Sequence, residues 1–236
     1  MLNQKIKIKQ MRTLVKVCTL LITTIIFAQQ PIEKSIDEFA ELKVYDLIEV
    51  ELIKSHENKI IITGENTKDV IVNNKNGKLK IRMNLEEIFD GNNTKVFLYY
   101  TTVDIIDVNE GSKVHSKDTI KQFEINLKAQ EGADINIPLH VTHTNIKAVT
   151  GGIIKTSGKS KSQDIYILTG GVYKGSELET ETTKVSINAA GEAYLNASKI
   201  VDVKIRAGGD VFIYGNPETI NESRVLGGRV KRMNEQ

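Results

Sequence analysis

A short glycine motif returns seven times between residues 103 and 230, and it constrains the fold more than any other feature of the chain. The copies are Glu110-Gly111-Ser112-Lys113-Val114, Glu131-Gly132-Ala133-Asp134-Ile135, Thr150-Gly151-Gly152-Ile153-Ile154, Thr169-Gly170-Gly171-Val172-Tyr173, Ala190-Gly191-Glu192-Ala193-Tyr194, Ala207-Gly208-Gly209-Asp210-Val211 and Leu226-Gly227-Gly228-Arg229-Val230. Their first glycines are 21, 19, 19, 21, 17 and 19 residues apart. Such a period marks a solenoid, in which each repeat is one turn and neighbouring turns bury each other's apolar faces.

The columns behind the glycine define the local structure. Three residues after it stand Val114, Ile135, Ile154, Tyr173, Tyr194, Val211 and Val230, all β-branched or aromatic as strand positions prefer. Five and three residues before it come the apolar pairs Ile106/Val108, Leu127/Ala129, Ile146/Ala148, Ile165/Ile167 and Val203/Ile205. Between the members of each pair sits Asp107, Lys128, Lys147, Tyr166 or Lys204. This alternation predicts a strand with one buried face. The copy at Gly191 is out of phase by one residue, with Val185 and Ile187 in the alternating places, and a bulge would absorb the difference. The last copy carries Glu222 and Arg224 in the apolar places, as a polar terminal turn would.

A unit of about 19 residues has no room for a strand, a full helix and a return; it fits a coil of three short strands, stacked at about 4.8 Å per rung. The predicted fold is therefore all-β, a single-stranded parallel β-helix. Parallel crossovers make it right-handed. An antiparallel sandwich with regular turns is the competing architecture, but the in-phase columns and constant corner favour the helix.

Residues 1–28 read as a signal peptide. Lys5, Lys7, Lys9, Arg12 and Lys16 precede an apolar run over residues 17–27 that ends at Ala28. The run is shorter than the about 20 residues a membrane anchor needs. Cleavage there removes Cys18, the only cysteine, and with it any thiol or disulfide chemistry. It also removes five cations, leaving 27 Lys and Arg against 30 acids and a formal charge of −3 in place of +2. No basic mature domain remains that would suggest nucleic-acid binding. Residues 29–38 form a polar lead-in, and residues 39–102 alternate short strands with turns. Asn76-Gly77 is a hairpin signal among them. This strand-rich segment is expected to cap the solenoid over residues 103–232, whose open edge would otherwise recruit another chain.

Three stretches carry a family resemblance: Phe39-Ala40-Glu41-Leu42-Lys43-Val44, Asn76-Gly77-Lys78-Leu79-Lys80-Ile81, and the ending Gly208-Gly209-Asp210-Val211-Phe212-Ile213-Tyr214-Gly215-Asn216-Pro217. With the glycine corners, they resemble the putative auto-transporter adhesin, head GIN domain family, over residues 39–232. The resemblance implies export, a right-handed β-helical fold and an adhesive role, and it supplies no catalytic residues.

Chemical motifs are sparse. The run from Gly152 to Gly158-Lys159-Ser160 has five residues between its glycines where a phosphate loop has four. His140 and His143 could share a metal, but two ligands do not make a site. Gly208-Gly209-Asp210 is an isolated half of a calcium-roll repeat. Asp104, Asp107 and Glu110, with Arg206, are the residues a β-helical polysaccharide lyase would use. Tyr173 and Tyr194 fall in the inward column, whereas Tyr166 and Tyr214 are the candidates for exposed aromatics.

The expected function is therefore that of an exported, non-catalytic, adhesin-like or cell-envelope binding protein with no catalytic, cofactor or metal residues. Its expected location is the periplasm, the outer surface or the medium. The partner would be an extended glycan or another envelope protein, without nucleic acid or a membrane span in the mature chain; a homo-oligomer is compatible with the pattern. A lyase-like enzyme and a purely structural envelope module are the alternatives.

Overall fold

The computed structural model describes residues 31–233; the leader expected over residues 1–28 lies outside them. The opening strands are β1 (Ile32–Ser35), β2 (Glu41–Val44), β3 (Glu49–Lys54), β4 (Lys59–Gly64), β5 (Val70–Lys75), β6 (Lys78–Met83), β7 (Thr94–Tyr100), β8 (Ile105–Val108) and β9 (Lys113–Ser116). The coils follow as β10 (Ile120–Ala129), β11 (Asp134–Val149), β12 (Ile153–Leu168), β13 (Val172–Asn188), β14 (Glu192–Ala207), β15 (Asp210–Tyr214), β16 (Thr219–Leu226) and β17 (Arg229–Arg232). A 3-10 turn, Thr67–Asp69, is the one helical element among the described residues, and no helix there is long and apolar enough to cross a membrane.

The fold is a parallel β-solenoid of about seven turns. From β8 onward every strand pairs in parallel with the strand one coil away. Strands β11 to β14 are 16 or 17 residues long, so the three short strands expected per coil merge into one. They merge because the polar return stretch also joins the ladder: Leu139-His140-Val141 pairs with Gly158-Lys159-Ser160. The wall still bends. Val141 and Thr144 are both buried, and the two residues between them are half-exposed, so the alternation changes phase there.

The opening segment is woven into the same solenoid. Strands β2 and β3 form a rung between the rung of β6 and β7 and that of β8 and β9, with Leu42 beside both Leu79 and Ile106. Antiparallel partners β1, β4 and β5 close this end. The β5–β6 hairpin turns on Asn76 and Gly77, both left-handed.

Inward columns form the core. One runs Ile135, Ile154, Tyr173, Ala193, Val211 and Val230; another runs Ala129, Ala148, Ile167, Ile187 and Ile205. The first column corrects the sequence alignment at Tyr194, which was placed inward. Ala193 is the inward residue, at 0% exposure, and Tyr194 lies outside, stacked on Phe212 with ring centroids 4.6 Å apart. Ala190 occupies the corner position that Gly170 occupies one coil earlier, and Gly191 matches Gly171. The extra residue is taken up elsewhere, in a bulge where the β12–β13 register shifts between Lys155 and Ser157.

Part of the interior is polar. The Tyr173 hydroxyl lies 2.8 Å from Thr156 Oγ1 and donates to Gln163 Oε1 at 2.8 Å, while Gln163 Nε2 donates to Thr183 Oγ1 at 2.9 Å. Every member has a partner, so burial leaves no uncompensated dipole. Burial raises the Tyr173 pKa and keeps its phenol protonated.

Candidate ligand-binding groove

One wall of the solenoid carries a groove of about 1060 Å³. Its floor is the outward side of the strand segments that precede the glycine corners. Because inward residues alternate with outward ones, two outward columns face solvent along it. The first runs Asn126, Asn145, Asp164, Lys184, Asp202 and Asn221; the second runs Lys128, Lys147, Tyr166, Ser186, Lys204 and Ser223. Arg206 adds a further cation at the edge. Parallel pairing in register stacks these side chains rung upon rung, about 4.8 Å apart.

The cations of the groove stand together without carboxylate partners. Several lysines elsewhere are neutralised: Lys43 by Asp107 at 2.7 Å, Lys78 by Glu41 at 2.9 Å, Lys117 by Glu51 at 3.0 Å and Lys199 by Glu181 at 2.7 Å. Lys117 and Lys95 hold the Glu51 carboxyl down at about 2. In the groove, Lys128, Lys147, Lys184, Lys204 and Arg206 form no ion pair with any described residue. Glu222 is engaged by Arg224. Asp202 accepts a hydrogen bond from Asn221 at 2.8 Å. Tyr166, 39% exposed in the middle of the second column, is the aromatic that the alternation placed outside.

The groups a lyase would need do not converge. Asp107 is on the outward phase but only 4% exposed, since Lys43, Asn109 and Gln130 cover it with hydrogen bonds of 2.7, 3.2 and 3.4 Å. Glu110 turns instead to the corner beside Asp46, where burial first, and then the hydrogen bond with Asp46, raises its pKa. Asp104 is exposed. Arg206, on β14, is five rungs from Asp107 on β8, roughly 24 Å away at the ladder spacing.

The remaining motifs resolve into structure. The Gly152 to Ser160 run lies largely within β12, with no helix after it. His143 contacts Ser162 Oγ at 2.8 Å and Asn145 Oδ1 at 3.1 Å, and His140 points outward at a different ladder position. No group of three potential metal ligands exists among the described residues. Asp210, of the Gly-Gly-Asp run, is held bidentately by Arg229 at 2.8 and 2.5 Å. Tyr214 is half-buried on the outer face, next to Asn196 in the ladder.

Comparison with known proteins agrees with this architecture. The crystal structure of a putative adhesin from Bacteroides fragilis is similar with a TM-score of 0.80 at 16% identity, covering 87% of this chain and 98% of that one. A putative adhesin from Parabacteroides distasonis gives 0.67 at 17% identity, covering 86% and 96%. A putative lipid binding protein from the same species gives 0.64 at 15%, covering 87% and 96%. At these identities the likeness shows a shared fold. No curated protein matches the sequence. The model of one family matches residues 38–217, including the rung of β2 and β3 and six of the seven glycine corners. The chain belongs to that family, described as putative auto-transporter adhesin, head GIN domain.

Proposed function

We propose that the protein is an exported, non-catalytic, adhesin-like binding module of the cell envelope, and that the laddered groove is its ligand-contacting surface. The observation that carries this reading is the set of five unpaired cations and one exposed tyrosine lining a groove that crosses several coils. A ladder repeats one weak contact at fixed spacing. A ligand that is itself repetitive gains from such a surface, because each bound unit raises the effective concentration of the next. The partner is therefore an extended polymer, a glycan or a repetitive envelope protein. Export rests on the leader pattern ending at Ala28, which puts the mature chain in the periplasm, on the cell surface or outside the cell.

Non-catalytic binding is supported by the dispersal of acids and bases. Catalysis needs groups of matched pKa within reach of one bond, and Asp107 and Arg206 are on rungs too far apart to share one. The test uses a panel of immobilised cell-wall and host polysaccharides, with and without calcium. Retention of the mature chain is expected, without new reducing ends or unsaturated sugars. Turnover that disappears in Asp107→Asn or Arg206→Ala would establish the lyase alternative. Absence of both retention and turnover would favour a structural envelope module.

A further inference from the structure

Resting on that reading, we infer that the groove takes an acidic glycan, a polymer whose sugars carry carboxylate or sulfate groups. Four observations converge on this class.

Charge comes first. The groove is lined by five cations and three acids, Asp164, Asp202 and Glu222. Without its first 28 residues the whole chain carries −3, so the cationic character is local. Second, Lys128 and Lys147 are direct ladder neighbours. Like charges at strand spacing repel and weaken the pairing. Asp107, on the other side of Lys128 in the same column, is already engaged by Lys43. A bound anion would relieve the repulsion.

Third, the acids are segregated. Asp164 and Asp202 flank Lys184 in the first column. Among the six coil positions of the second column there are three lysines, two serines and Tyr166, with no acid. A polymer lying along that column meets cations and neutral hydroxyls alone. Fourth, Tyr166 offers a flat aromatic face and a hydroxyl amid these polar groups. An aromatic face suits a sugar ring, whose C–H surfaces are apolar and whose hydroxyls and acid groups bond at the rim. The outward positions of the two columns hold no aliphatic side chain that would receive an acyl chain or an amphipathic helix.

The experiment measures binding of the mature chain to polygalacturonate, chondroitin sulfate, dextran and poly-L-glutamate across a range of salt concentrations. Polygalacturonate or chondroitin sulfate should bind, with affinity falling as salt screens the contacts. Lys128→Glu combined with Lys147→Glu should weaken that binding by roughly tenfold or more. Lys161→Glu combined with Lys199→Glu, on another part of the surface, should leave it unchanged and controls for net charge. Tyr166→Ala should weaken binding to the acidic glycans with little effect on poly-L-glutamate. Circular dichroism and melting temperature verify that each variant is folded.

Salt-insensitive binding to dextran would overturn the acidic-glycan inference while keeping the binding-module reading. Binding to poly-L-glutamate as strong as to the glycans, and indifferent to Tyr166, would overturn the sugar component. Binding to none of the four polymers overturns the acidic-glycan inference; the binding-module reading falls with it only if the wider polysaccharide panel also gives no retention.

Discussion

Ile167→Asp should destabilise the protein by on the order of 3 kcal/mol or more, whereas Lys147→Asp should cost less than about 1 kcal/mol. The two residues are close neighbours on adjacent rungs and differ in phase. Ile167 is fully buried, stacked between Ala148 and Ile187, and its Cγ2 lies directly beneath the corner at Gly191. A carboxylate there would lose its water without gaining a cation. Lys147 projects into the groove beside Lys128, so an acid in its place stays hydrated and replaces a like-charge contact with an attractive one. Chemical denaturation midpoints check the contrast. Equal losses for both variants would mean that the inward and outward phases are wrongly assigned.

The second large effect is expected at the corner, where two adjacent glycines have different reasons to be glycine. Gly170 has a φ of +75° and open space where a Cβ would stand. Gly170→Ala should therefore cost only the left-handed penalty, about 1 kcal/mol. Ala190 already adopts this conformation at the equivalent position, with a φ of 62°. At Gly171 a Cβ would lie 2.1 Å from the carbonyl oxygen of Ala148 and 2.4 Å from its carbon. Those are backbone atoms of the neighbouring coil, held by the ladder, and they cannot swing aside as a side chain would. Gly171→Ala should thus push two rungs apart and lose about 3 kcal/mol or more. Thermal melts of the two variants test this difference. A melting temperature for Gly171→Ala as high as that for Gly170→Ala would show that the coils are less closely stacked.

These two contrasts bear on what the sequence makes legible. The repeat, the alternation and the apolar columns follow from local rules, namely residues that need positive φ and side chains that alternate faces. The order of the first rungs does not. Strands β2 and β3 form a rung stacked between that of the later strands β6 and β7 and that of β8 and β9, and pairing across that distance has no local signature. Their corner was also hidden, because Asp46 and Leu47 take the left-handed conformation there without a glycine. Asp46 is secured by accepting the Met83 backbone N–H at 2.9 Å. Tyr194 went astray for a related reason: with Ala190 in the first corner place, the glycine next to it is the second of the pair, and aligning on it shifts that coil by one residue.

The groove was half legible. Lys128, Lys147, Tyr166 and Lys204 stand out in the sequence as residues between buried pairs, and each is on the outside. Their lack of carboxylate partners was not readable, since it depends on which rung lies next to which. The same dependence hides the fate of Asp107, which alternation places outside and which Lys43, from a strand 64 residues earlier, covers. The polar interior around Gln163 and Tyr173 was likewise invisible, because a buried glutamine is recognised only by its partners.

The most direct test of the account is a footprint of its lysines. The mature chain is acetylated with and without the polysaccharide it retains, and each site is quantified by mass spectrometry. Lys128, Lys147, Lys184 and Lys204 should be protected together, because they line one groove. Lys155, Lys159 and Lys199, which lie outside it, should react as they do in the free protein. Protection centred on those three lysines, or spread evenly over both groups, would contradict the groove as the binding surface.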